Sequence, residues 1–128
     1  MAALLRESHA QGDRRATYAL ATWYIHGGLF SIQPVKAFRL LRQCRDAGIA
    51  EALFDLARCY EVGFGTKASS EKAFEKYIQA AMLGDRASAD EVIRCVFWGI
   101  GTKKNKYLSH FIEDLVRSRV SFAEQDVG

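Results

Sequence analysis

Three histidines (His9, His26, His110) and three cysteines (Cys44, Cys59, Cys95) are the side chains best able to bind a metal or carry thiol chemistry. Either role needs short regular spacings, such as CxxC or HxxxH, that bring two ligands to one side of a turn. No two of the six fall at such a spacing, so neither a metal nor a cofactor is expected. The cysteines read instead as buried free thiols of a reducing compartment, and the expected location is cytoplasmic. Two glycine pairs, Gly63-Phe64-Gly65 and Gly99-Ile100-Gly101, invite comparison with a phosphate cradle. Each lacks a third glycine and follows a helical pattern rather than a strand, so turn geometry is the better account. The basic run Lys103-Lys104-Asn105-Lys106 lacks the interleaved aromatics that stack bases, apart from Tyr107. It reads as a solvated loop or as a contact for an acidic patch on a partner. No titratable cluster remains to serve as a catalytic constellation, and no enzyme is expected.

The elements that position these residues recur. Gly27, Gly63 and Gly99 are 36 residues apart, as are Gly12, Gly48 and Gly84. Lys36-Ala37-Phe38 returns as Lys72-Ala73-Phe74, and Tyr24 as Tyr60. A period of this length marks a helical solenoid, in which each helix pair buries its apolar face only by stacking on its neighbours. Helix A is predicted over 14–26 and 50–62, and again from Arg86, with Asp13 and Asp85 as equivalent N-caps. Helix B is predicted from Pro34 to about Ala47, and over 70–83 after a cap at Ser69 or Ser70. Phe74, Tyr77, Ile78 and Ala81 recur at i, i+3, i+4 and i+7, one helical face. In the third repeat Leu108, Phe111, Ile112 and Leu115 copy that spacing only if two residues are deleted after Lys103. Gly27, Gly63 and Gly99 fit helix ends that require a left-handed backbone.

The expected fold is therefore all-α, a right-handed α-solenoid of about three helix-turn-helix repeats behind a leading half-repeat, about seven helices in one domain. Its parts are the half-repeat 2–12, repeats 13–48, 49–84 and 85–118, and a frayed tail 119–128 that loses the period. With 49% hydrophobic residues the chain can fill a continuous core, and its net charge of +3 argues for neither a nucleic-acid partner nor an acidic tail. No run approaches the ~18 apolar residues of a membrane span, and the opening Met1-Ala2-Ala3-Leu4-Leu5 is too soon interrupted by charge for a signal peptide.

The combination Ala-x-Phe-x-Leu-Ala-x-Cys-Tyr-x-x-Gly-x-Gly, then Lys-Ala, Tyr and Ala-Ala-x-x-Gly, resembles the Sel1-like repeat, a relative of the tetratricopeptide repeat. Residues 50–84 match it almost position by position. Repeat one keeps Ala16, Tyr18, Leu20, Tyr24, Gly27, Lys36-Ala37 and Gly48, but carries Leu29 for the second loop glycine. Repeat three keeps Cys95, Gly99 and Gly101 but has Val96 for the tyrosine and loses the Lys-Ala pair. The resemblance implies a non-catalytic adaptor or scaffold whose inner, concave surface is built mainly from the A helices.

Function is then sought where the copies disagree on that surface. Thr22, Arg58 and Arg94 are equivalent positions, as are Ile25, Glu61 and Phe97, and His26, Val62 and Trp98. Together they form a ladder along the A helices and are the expected partner-binding residues. Arginine and tryptophan are the types that most often anchor interfaces. Phe97 and Trp98 read equally well as a cap over the end of the last repeat. The expectation is a protein-binding module, for example a dedicated inhibitor or immunity protein, or a chaperone. The alternative is an oligomerising scaffold unit, such as a homodimer completed through the N-terminal half-repeat.

Overall fold

The computed structural model of the chain describes the backbone of residues 2–28 and 30–127, and side chains as far as 118. Leu29 lies outside the described residues. Seven helices carry them, with no strand among them: α1 (Ala2–Ala10), α2 (Arg14–His26), α3 (Pro34–Gln43), α4 (Ala50–Val62), α5 (Ser70–Met82), α6 (Arg86–Trp98) and α7 (Lys106–Val127). The even-numbered helices are the A helices of successive repeats. Among the described residues the closest backbone approaches are between helices consecutive in the chain, while side chains of α2, α4 and α6 meet across the repeats, as in a solenoid.

Local chemistry accounts for the boundaries. Asp13 accepts the N–H groups of Arg15 and Ala16 at the start of α2, and Asp85 accepts that of Ser88 at the start of α6. Ser69, not Ser70, caps α5, accepting from the Lys72 N–H at 3.3 Å. Pro34 opens α3, where its missing N–H is not needed. Gly63 and Gly99 end α4 and α6 in the left-handed conformation, whereas Gly27 at the end of α2 has φ 82° and ψ −159°, outside that region. The first repeat thus leaves its A helix by a different turn.

The core forms two clusters on either side of α4, with Tyr60 packed against both. On one side Leu56 and Cys59 join Leu20, Ala21, Leu41 and Cys44; on the other Ala57 joins Ala73, Tyr77, Val92 and Cys95. The recurring Lys-Ala pair has a double explanation. Ala37 and Ala73 are buried where A and B helices approach closely. Lys36 lies over the Tyr24 ring and Lys72 over the Tyr60 ring, at 4.7 and 5.7 Å from the centroids. The third repeat loses both partners together, with Val96 replacing the tyrosine and Leu108 the lysine.

The third repeat also corrects the expected two-residue deletion. The Asn105 N–H donates to the Val96 carbonyl at 2.8 Å, as Ser69 does to Tyr60 and Gln33 to Tyr24 in the earlier repeats. The Asn105 side chain accepts the Leu108 N–H at 2.9 Å, as Ser69 accepts that of Lys72. Asn105 is therefore the cap, and the period of 36 is kept. Ser109 takes the buried place of Ala73, its hydroxyl donating to the Ile93 carbonyl. Ile112 still packs on the core, but Leu108, Phe111 and Leu115 are 43%, 59% and 51% exposed. Capping hydrogen bonds set this register, and the apolar spacing does not. The helix also continues to Val127, past the expected end of the repeat near 118.

Cys44, Cys59 and Cys95 are free and buried. Burial pushes all three thiols up, Cys59 to about 11. Since the thiolate is the reactive form, iodoacetamide at pH 7.5 should leave all three unlabelled in the folded protein and label them on unfolding in urea. Mass spectrometry reads the outcome, and prompt native labelling would show that the packing is looser than described.

Candidate partner-binding surface on the A helices

An open cleft of about 360 Å³ lies between the C-terminal half of α2 and the length of α4. Ile25 and His26 form one wall. Phe54, Asp55, Arg58, Cys59 and Val62 form the other, and Phe64 from the following turn closes one end. The spacing of the α4 residues explains the wall, because 54, 55, 58, 59 and 62 share one helical face. Val62 is 65% exposed and Arg58 is exposed.

Of the nine ladder residues, Ile25, His26, Arg58 and Val62 are brought together here. Glu61 and Arg94 are engaged elsewhere. Arg94 pairs with Glu61 from the preceding repeat, and its Nε donates to Glu91 on its own helix at 2.6 Å. Glu61 also accepts from the Tyr77 hydroxyl at 3.2 Å, so one carboxylate ties α5 and α6 to α4. Burial works against the Arg94 charge, but hydrogen bonds to Glu61 and Glu91 outweigh it and hold the guanidinium protonated far beyond its usual range. Burial with Glu61 keeps the Tyr77 phenol neutral well above its own. Thr22 turns its hydroxyl to the Ala19 carbonyl of its own helix. Phe97 and Trp98 stand apart at the end of α6. Phe97 is half-buried against Trp98 and His110, with Lys106 over its ring, while Trp98 is 62% exposed.

The ladder missed Phe54, Asp55 and Cys59 of the wall, and Asp55 is the charged one. Its carboxylate accepts from the Tyr18 hydroxyl at 2.8 Å, joining α2 to α4. Burial raises its pKa above the usual carboxylate range, opposed by the Tyr18 hydrogen bond and by nearby His26 and Arg58. The spacing to Arg58, one turn along the same face, was the available signal. Phe64 gave none, since the path of a turn is not readable from helical periodicity.

The model for the Sel1 repeat matches residues 14–48 and 50–85. The chain belongs to the Sel1-repeat family. Among solved structures, the Sel1-repeat chain is similar to a Sel1 repeat protein from Oxalobacter formigenes, with a TM-score of 0.86 at 21% identity. It is also similar to c5321, a protective antigen of uropathogenic Escherichia coli strains displaying an SLR fold, with a TM-score of 0.84 at 19% identity. These alignments cover 92% and 90% of this chain but only 49% and 25% of the other two, so it spans at most about half their length. Identities this low speak for the fold alone. No curated protein matches the chain. Sel1 repeat proteins generally mediate protein–protein interaction. Among the described residues no cluster of three potential metal ligands occurs, and no helix is long and apolar enough to cross a membrane.

Proposed function

We propose that this Sel1-repeat chain is a non-catalytic module that grips a protein partner through the concave A-helix face. The observation that carries this reading is the cleft between α2 and α4, where four ladder residues converge and an arginine stands beside apolar side chains. Phe97 and Trp98 extend the surface toward the third repeat, Trp98 offering a large exposed aromatic of the kind that anchors interfaces. The finer reading is a single dedicated partner, such as a toxin held inactive by an immunity protein or an effector held by its chaperone. A reducing, cytoplasmic setting agrees with three buried free thiols.

A photo-crosslinking residue placed at Val62, in the cleft, should capture the partner in the source cell. The same residue at Glu75, on the exposed outer side of α5, should not. Arg58→Ala combined with Trp98→Ala should abolish capture with helicity unchanged by circular dichroism. Capture from Glu75 and not Val62 would move the interface to the B helices.

A second reading, self-association into a scaffold, draws on apolar side chains left open at the two ends of the array. Leu4 on α1 is 69% exposed, and Leu108, Phe111 and Leu115 line the outside of α7. A dimeric mass by light scattering would support it, and a monomer at high concentration would remove it.

A further inference from the structure

Arg58 and Arg94 hold the same place in successive repeats, yet their surroundings differ. Arg94 is clamped by Glu61 of the preceding repeat and Glu91 of its own helix. At Arg58 one acceptor is missing and the other is shortened and already engaged. Ile25 stands where Glu61 stands, and Asp55 stands where Glu91 stands. The Asp55 carboxylate is one methylene shorter and already accepts from Tyr18. Arg58 forms no ion pair among the described residues. A guanidinium presents a planar fork of donors that fits a carboxylate in two parallel hydrogen bonds. Here that fork is open, exposed, and set among Ile25, Phe54, Val62 and Phe64.

We propose that the cleft takes a protein segment carrying an acidic side chain next to an apolar one. The carboxylate would sit on Arg58 as Glu61 sits on Arg94, with the apolar neighbour between Ile25, Phe54, Val62 and Phe64. This rests on the A-helix face being the binding face, and adds the chemistry of what binds. The protein's own Glu61–Arg94 pair is the template, since those two residues hold, one repeat later, the positions of Ile25 and Arg58. A single arginine flanked by the Asp55 carboxylate suits one negative charge better than a doubly charged phosphate. The volume of about 360 Å³ is at the lower end of the roughly 300–1,000 Å³ typical of ligand clefts, enough for a side chain and not for a folded element.

The test uses synthetic hexapeptides of Gly and Ser carrying a central Leu–Glu, Leu–Gln or Leu–Lys pair. Both ends are blocked, so the glutamate holds the only carboxylate. Titrated into the 15N-labelled chain, the Leu–Glu peptide should shift the amides of Ile25, Arg58 and Val62. The Leu–Gln peptide should bind at least about tenfold more weakly, as expected for loss of a charge-assisted hydrogen bond. Ile25→Glu should supply the missing internal carboxylate, engage Arg58 and abolish binding with helicity intact. Arg58→Glu should reverse the preference toward the Leu–Lys peptide. Equal binding of the glutamate and glutamine peptides in the cleft would overturn the acidic segment and leave the A-helix face standing. Shifts confined to another surface, such as the outside of α7, would overturn both. No shifts at millimolar peptide would also overturn the acidic segment, with the Val62 cross-link still deciding the face.

Discussion

Gly65→Ala is expected to lower the unfolding free energy by about 2–5 kcal/mol, against about 1–2 kcal/mol for Gly48→Ala. Both glycines have positive φ, +71° and +72°, so an L-residue pays the left-handed strain at either site. They differ in what a side chain would meet. At Gly48 nothing lies within 4 Å of an added Cβ. At Gly65 the Cβ would come to 2.1 Å from the Pro34 carbonyl oxygen and 2.9 Å from the Phe38 Cβ. The loop after α4 thus rides directly on the first turn of α3, and only a residue without a Cβ lets successive repeats close to this distance. Gly101 repeats the contact one period later, its Cβ position 2.1 Å from the Ser70 carbonyl oxygen at the start of α5. Backbone cannot rotate out of the way as a flexible side chain can, so repeat one and repeat two would have to separate. Urea unfolding followed at 222 nm measures both variants. Equal losses would mean that the strain alone matters and the inter-repeat contact does not.

Tyr77→Ala should cost about 3–5 kcal/mol, the range for truncating a large buried aromatic, while Tyr77→Phe should cost about 1 kcal/mol. Tyr77 is fully buried, stacks edge-on against Phe54 with ring centroids 5.7 Å apart, and packs in the cluster shared by α4, α5 and α6. Truncation to alanine therefore opens a cavity at the junction of two repeats. The phenylalanine variant removes only the hydroxyl that donates to Glu61. A double-mutant cycle of Tyr77→Phe with Glu61→Gln should show coupling, because both changes act on one carboxylate that also holds Arg94. Additive losses would mean that the Tyr77 hydroxyl and Glu61 do not act together. The contrast with Arg58 is instructive. The same repeat position is a structural clamp in one copy and an open cation in the other.

Much of this architecture was legible from residue order. The helix starts at Arg14, Ala50 and Arg86, and the ends of α2 and α4, fall where the periodicity and caps place them. The third repeat was harder. Leu108, Phe111 and Leu115 imitate a buried face, and only the Asn105 cap and its bond to Val96 show that they point outward. A serine at the buried position 109 gave no apolar signal, because its hydroxyl is satisfied by the Ile93 carbonyl inside the structure.

Contacts within one turn, or repeated at one interval, were enough to place the helices of the first two repeats, the Asp13 and Asp85 caps, the basic period of 36 and the family. These depend on φ/ψ preference, local hydrogen bonds and amphipathic spacing, all properties of neighbouring residues. The standing of individual ladder positions depends instead on packing between repeats. Arg94 and Arg58 look alike in sequence, and their difference comes from residues one repeat away: Glu61 faces one, while Ile25 faces the other and Tyr18 engages the Asp55 carboxylate beside it. Whether a charge is spent inside the fold or left for a partner is set by what packs against it across the repeat boundary.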